Sequence, residues 1–371
     1  MFSKQSKLLV LILILALVLR LHMLAEKAPG VDEAFQIDLI SRPANEMMYI
    51  YLNVEPNNPP LHGLVTHVIF ILFGSYYFVK LFSVFCGLAS IFFCYKIGEK
   101  LFNKDTALLA AALLTFNPLH LFYSQHTRAY SMVIFLFSLL FYALLIFLEN
   151  LKERKYAIAL GLIATLFLYT HYVAIIVLLC MVAFFAYLWR KNKIDIKSAL
   201  LPLVIAAILF MPQAFVLATH PALQKNAICE RSIFDFPYIF YKFANGANIS
   251  FLVSRFPLLL YPALLVNAVF ALGLFKMFKE KIASNLFLFF FFLPFLLIAL
   301  ATIKVSHFFY FRNFTYLLPL FIIPIAHYIT SLQNRYLKLA LVASIVLGWL
   351  AIAVLYYSIV TVPDWNVYIG L

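Results

Sequence analysis

The chain has 371 residues, 65% of them hydrophobic and 12% charged, with a formal net charge of +13. A water-soluble domain carries roughly 25% charged residues, so the composition excludes an ordinary soluble enzyme or binding module and makes lipid the main solvent. The positive balance does not point to nucleic acid, because the basic residues stand in short clusters between apolar runs, where they act as topology signals.

The apolar runs are about 18 to 22 residues long, the length a helix needs to cross roughly 30 Å of hydrocarbon, and not the ten-residue alternating segments of an outer-membrane barrel. The predicted fold class is therefore all-α, a polytopic transmembrane helical bundle. In chain order the apolar segments are 8–25, 61–78, 79–98, 106–123, 129–149, 156–170, 172–189, 198–218, 257–275, 284–303, 313–331 and 338–360. The first follows Lys4 and Lys7 and has no small-x-small cleavage site before Glu26 and Lys27, so it reads as a retained span and not a signal peptide.

Basic clusters mark cytoplasmic ends. They lie at Lys4/Lys7, Lys96/Lys100/Lys104, Lys152/Arg154/Lys155, Arg190/Lys191/Lys193/Lys197, Lys276/Lys279/Lys281 and Arg335/Lys338. If every segment crossed, the cluster from Lys96 to Lys104 would fall on the side opposite Lys4. One early segment must not span. The stretch 61–78 is the candidate, since His62 and His67 interrupt it and Gly74 shortens its apolar part, which suits an interfacial or re-entrant helix. About eleven spans remain. The N-terminus is then cytoplasmic, the C-terminus is outside, and 26–60, Tyr123 to Tyr130 and 219–256 share the outer face of an inner or plasma membrane. No second soluble domain or repeat is visible, so 1–371 reads as one membrane domain.

Three outer stretches could carry chemistry. Asp32-Glu33, just past the first span, places carboxylates where partial desolvation can tune a general base; a solvated loop pair is the plain alternative. In Asn57-Asn58-Pro59-Pro60-Leu61-His62 the prolines set a helix start, and His62 could meet a phosphate or simply reach the interface. In Tyr123-Ser124-Gln125-His126-Thr127-Arg128-Ala129-Tyr130 the Arg128 guanidinium could grip a lipid-linked phosphate, or belong to an interfacial aromatic belt. Further outer basic groups are Lys80, Arg231, Arg255, Lys304 and Arg312, with His171, His220 and His307.

The histidines show no metal-ligand spacing, so no divalent metal is indicated, and Cys86, Cys94, Cys180 and Cys229 suggest neither a disulfide nor a zinc site. There is no phosphate-binding glycine loop or dinucleotide fingerprint, so no nucleotide cofactor is expected and the energy must arrive with the substrate.

Taken together, Val31-Asp32-Glu33, Asn58 to His62 and Tyr123 to Tyr130 resemble, in order and spacing, the membrane glycosyltransferases of the C superfamily. The branch is that of the protein O-mannosyltransferases and aminoarabinose transferases (glycosyltransferase family 39). Tyr169-Thr170-His171-Tyr172 and Phe311 to Pro319 are further echoes, although Arg312 precedes its tyrosine by four residues where the family has Arg-Tyr, and Lys80 stands where relatives carry arginine. The likeness is good over 1–190 and rests on hydropathy and the Arg312 region over 191–371. It implies juxtamembrane helices in the first outer loop, a polyprenyl-phosphate sugar donor and a protein, lipid or glycan acceptor. It also implies inverting transfer with Asp32 as base, and Asn58, His62, Lys80, Gln125, His126, Arg128, Tyr130, His171 and Arg312 around the substrates. Glu33 is expected beside the base, positioning the acceptor or orienting an arginine. The rival class is a lipid or lipid-linked sugar transporter or flippase, which would also use a basic, aromatic cavity but commonly shows paired halves. A partner subunit without activity is the third.

Overall fold

The computed structural model describes residues 4–54, 58–219, 236–246, 260–302 and 311–359. The expectations for Arg231, Arg255, Lys304, His220, His307 and Cys229 lie outside these residues. Every described element is helical. After α1 (Lys4–Leu21) come two short helices, α2 (Val31–Ser41) and α3 (Ala44–Tyr49), separated by Arg42-Pro43. Glu33 sits in the first turn of α2 and accepts the Gly30 N–H at 3.2 Å, the acidic side chain closing the exposed helix start.

Helix α4 (Leu61–Phe73) begins behind the proline pair and ends at Gly74, whose φ of 63° is left-handed. It has 13 residues, too few to cross hydrocarbon, as the parity of the basic clusters requires. Its end falls earlier than expected. Ser75 caps the long α5 (Tyr76–Leu101), so residues 76–78 open that 26-residue span and do not close the interfacial helix.

The segment expected as one span at 106–123 is two helices, α6 (Lys104–Phe116) and α7 (Pro118–Ser124), bent by 65°. Asn117 makes the break: its side chain accepts the His120 N–H at 3.0 Å, and Pro118 occupies the first helical position, where its missing N–H costs nothing.

Then follow α8 (Tyr130–Glu149), α9 (Arg154–Leu168), α10 (Val173–Arg190) and α11 (Ile196–Thr219). Helix α12 (Phe236–Asn245) lies within what the sequence presents as an outer loop, 219–256. It is docked into the bundle: Asn117 Nδ2 donates to Phe243 O at 2.8 Å and Trp349 Nε1 to Ala244 O at 2.6 Å. Two of its end carbonyls are thereby satisfied away from water.

Next come α13 (Leu260–Met277) and α14 (Lys281–Phe287), which continues through a wider turn, Leu288–Phe292, into α15 (Leu293–Thr302). A tight helical segment, Phe311–Leu317, leads into α16 (Leu318–Ser331), and α17 (Arg335–Ile359) follows. Among the described residues eight helices are long and apolar enough to cross a membrane, or nine with the bent α6–α7 pair. The two other expected spans are α1, 18 residues with Lys4, Lys7 and Arg20, and α9, 15 residues.

Helix α5 packs against α6 and α8, α9 against α8 and α11, and α16 against α6 and α13. Leu264, Phe275 and Phe215 are about 70% exposed on the outside of this bundle, which suits lipid and not water.

Candidate active site

The elements expected on one face do meet at one end of the bundle. Leu61 N–H donates to Tyr169 O at 3.0 Å, tying the start of α4 to the α9–α10 turn. Glu33 ties α2 to the turn between α7 and α8. It is 1% exposed, and its carboxylate accepts the Thr127 N–H at 2.9 Å and lies 3.3 Å from Lys27 Nζ. Burial alone would raise this carboxyl. The His126 ring, Lys27 and the Thr127 and Gly30 N–H groups outweigh it and bring it down to about 2.

Burial in turn holds the His126 ring down to about 3 despite the carboxylate. Its Nδ1 accepts the Arg128 N–H at 3.3 Å, so the neutral ring carries its proton on Nε2, 3.5 Å from Glu33. The partners that Glu33 meets are thus Lys27, His126 and the backbone at Thr127 and Gly30. The carboxylate anchors a lysine and a backbone turn, and through that turn it sets where Arg128 stands.

Two expected ligands serve the same scaffold and do not line the cleft described below. Lys80 Nζ donates to Leu24 O at 3.1 Å and Lys27 O at 2.8 Å, and Gln125 Nε2 donates to Arg20 O and His22 O, both at 2.9 Å. Gln125 thus serves carbonyl groups at the end of α1, where a helix lacks internal partners, and Lys80 those of the turn that follows.

Beneath this turn lies a residue the sequence reading passed over. Arg20, inside α1, is fully buried and donates to Ser124 Oγ (3.1 Å), Ala16 O (3.0 Å), Thr115 O (3.4 Å) and His120 Nδ1 (2.7 Å). His120 passes the network on through Nε2 to Ser90 Oγ at 2.7 Å. All the acceptors are neutral, and an arginine inside an apolar span was the available signal. The network staples α1 and α5 to the α6–α7 bend.

Above the turn is a cleft of about 530 Å³ of empty space, open on one side. It brings together Asn58, His62, Arg128, Tyr130 and His171 of the expected residues, and adds Gln36, Tyr51, Phe35 and Thr170. Gln36 was legible in principle, because it follows Glu33 by three residues and so shares its inward face of α2. Tyr51 lies directly over Gly63, where any Cβ would overlap its ring.

Arg128 Nη1 approaches Gln36 Oε1 at 3.5 Å. Burial first, and then the nearby Arg128 charge, lower His62 to about 3 and His171 to about 4, so both rings are neutral at physiological pH. Asp32 points the other way from Glu33. Its Oδ2 lies 2.5 Å from Arg312 Nη1, with both side chains about one-third exposed. The bond joins α2 to the segment before α16, across 280 residues of sequence. Among the described residues no three His, Cys, Asp or Glu side chains converge as a metal site would require.

At one end of this helical membrane bundle, short helices thus bring an Asp32–Arg312 pair beside a basic, aromatic cleft. Residues 57–215, somewhat under half of the chain, match the family model of dolichyl-phosphate-mannose-protein mannosyltransferases. That stretch holds Asn58, His62, Arg128, Tyr130 and His171 but neither Asp32 nor Arg312.

Among solved structures the chain is similar to apo ArnT of Cupriavidus metallidurans (TM-score 0.61, 16% identity, 90% of this chain and 62% of that one). ArnT bound to undecaprenyl phosphate is also similar (TM-score 0.57, 17% identity, 99% of this chain and 75% of that one). A third is the oligosaccharyltransferase AglB of Archaeoglobus fulgidus in complex with an inhibitory peptide and a dolichol-phosphate (TM-score 0.59, 12% identity, 98% of this chain and 56% of that one). The chain thus spans little more than half the length of the archaeal enzyme. No curated protein matches it by sequence.

Proposed function

We propose that this chain is an integral membrane glycosyltransferase that moves a sugar from a polyprenyl-phosphate donor to an acceptor on the extracytoplasmic face. The observation that carries the reading is the Asp32–Arg312 pair beside the Arg128 cleft, at the bundle end opposite the basic clusters. In the reaction the acceptor hydroxyl or amine attacks the anomeric carbon and loses its proton to the Asp32 carboxylate. The carbon–oxygen bond to the phosphate breaks, and polyprenyl phosphate leaves with the bonding electrons, so the configuration inverts. Arg312 and Arg128 are the cations available to the leaving phosphate. In drawing Arg312 away, that phosphate would free the carboxylate it neutralises.

Radiolabelled sugar transfer from a panel of polyprenyl-phosphate sugars to membrane acceptors, with purified protein in liposomes, tests this. Asp32→Asn should lower transfer by roughly 10²- to 10⁴-fold, the usual contribution of a general base, with polyprenyl phosphate binding retained. Full turnover by the variant would overturn the assignment of the base. If the wild type binds the lipids yet transfers nothing, a flippase takes first place, and the break at Asn117 would be read as a transporter's discontinuous helix.

A further inference from the structure

Gln36 stands one helical turn beyond Asp32 and lines the cleft although it is only 4% exposed. A guanidinium donates and never accepts, so the contact between Arg128 Nη1 and Oε1 fixes the amide orientation: oxygen towards Arg128, Nε2 away from it. Gln36 Nε2 is buried and has no hydrogen-bond partner, and the same holds for His62 Nε2 on the cleft wall. A buried donor left unmade costs about 1–3 kcal/mol, which a ligand oxygen would recover.

Among the described residues Arg128 is the single formally charged one that lines the cleft. Of the α2 carboxylates, Asp32 pairs with Arg312, Glu33 with Lys27 and Asp38 with Arg42. An ammonium group entering beside Gln36 would set its N–H donors against the Gln36 amide N–H and its charge near Arg128.

We propose that Gln36 determines which sugar the donor carries, its Nε2 donating to an oxygen of an uncharged sugar, and that the cleft rejects a sugar bearing a protonated amine. The inference rests on the glycosyltransferase reading above and deepens it.

The test compares kcat/KM for two polyprenyl-phosphate donors at pH 7, one carrying a neutral hexose and one a protonated amino sugar. The acceptor membranes are the same for both, so a changed ratio reports on the sugar alone. The wild type should prefer the neutral donor roughly 10- to 100-fold, the range that a buried unmatched polar group supplies.

Gln36→Glu neutralises Arg128 and supplies an acceptor, and it should narrow that ratio at least tenfold. Gln36→Leu removes the donor and should lower kcat/KM for the neutral sugar while undecaprenyl phosphate binding stays unchanged. A wild type that uses the amino sugar equally well, or a ratio unmoved in a Gln36→Glu protein that unfolds at the wild-type temperature, overturns the role of Gln36 and leaves the enzyme reading standing. Absence of transfer from any donor removes both.

Discussion

Neighbouring carboxylates have separate duties here because successive helical residues face about 100° apart. Glu33 is buried against Lys27, and removing one partner of such a pair strands the other charge, at a cost of about 3–5 kcal/mol. Glu33→Gln should therefore lower the thermal unfolding temperature in detergent markedly. Asp32→Asn breaks a pair about one-third exposed and should shift stability by about 1 kcal/mol or less, so its loss of transfer can be separated from misfolding.

The pH dependence has a definite sign. His62, His126 and His171 refuse protons in the fold down to about 3 or 4, whereas an unfolded histidine takes one near 6.5, so stability falls as pH drops below about 6.5. Glu33, brought down to about 2, adds a further loss as pH falls from about 4.3 towards that value. Thermal unfolding followed from pH 8 to pH 4 should hold level to about pH 6.5 and decline below it, and a midpoint that stays flat or rises in acid would contradict the neutral state of these rings.

At the level of elements, the α6–α7 bend organises the site. Asn117 caps α7 on one side and holds the Phe243 carbonyl of α12 on the other, so one side chain couples the break to the docked helix. Asn117→Ala should cost about 2 kcal/mol or more, from a lost cap and a carbonyl left without its donor. Hydrogen exchange should register the change in α7 and α12 and leave the ends of α5 and α8 joined by the Lys100–Glu149 pair alone. Protection lost evenly across the bundle would mean that the bend does not couple these two helices.

At the scale of the whole molecule, the prediction concerns orientation. Among the described residues the free cysteines, Cys86, Cys94 and Cys180, are buried, so in a Cys229→Ser background single surface cysteines can be read cleanly with an impermeant maleimide. Asp38→Cys, on the exposed side of α2, should label in intact cells. Glu153→Cys, before α9, should label only after permeabilisation. The reverse pattern would place the cleft in the cytoplasm.

The class of fold and the short α4 were legible in the chain alone. Hydrocarbon thickness and the clustering of basic residues act on local stretches of chain, and both can be counted without coordinates. The sequence also marked Asp32, Asn58, His62, Arg128, Tyr130 and His171, because proline punctuation and polar residues between apolar runs are visible locally. It took the folded chain to reveal that Lys80 and Gln125 hold carbonyls at and just past the end of α1, that Glu33 anchors a lysine, that Gln36 faces the cleft and that α12 docks into the bundle. Apart from the local Glu33–Lys27 pair, each of those depends on which donor meets which acceptor across 53 to 126 residues, and the driving force, satisfying polar groups away from water, leaves no periodic trace in the chain.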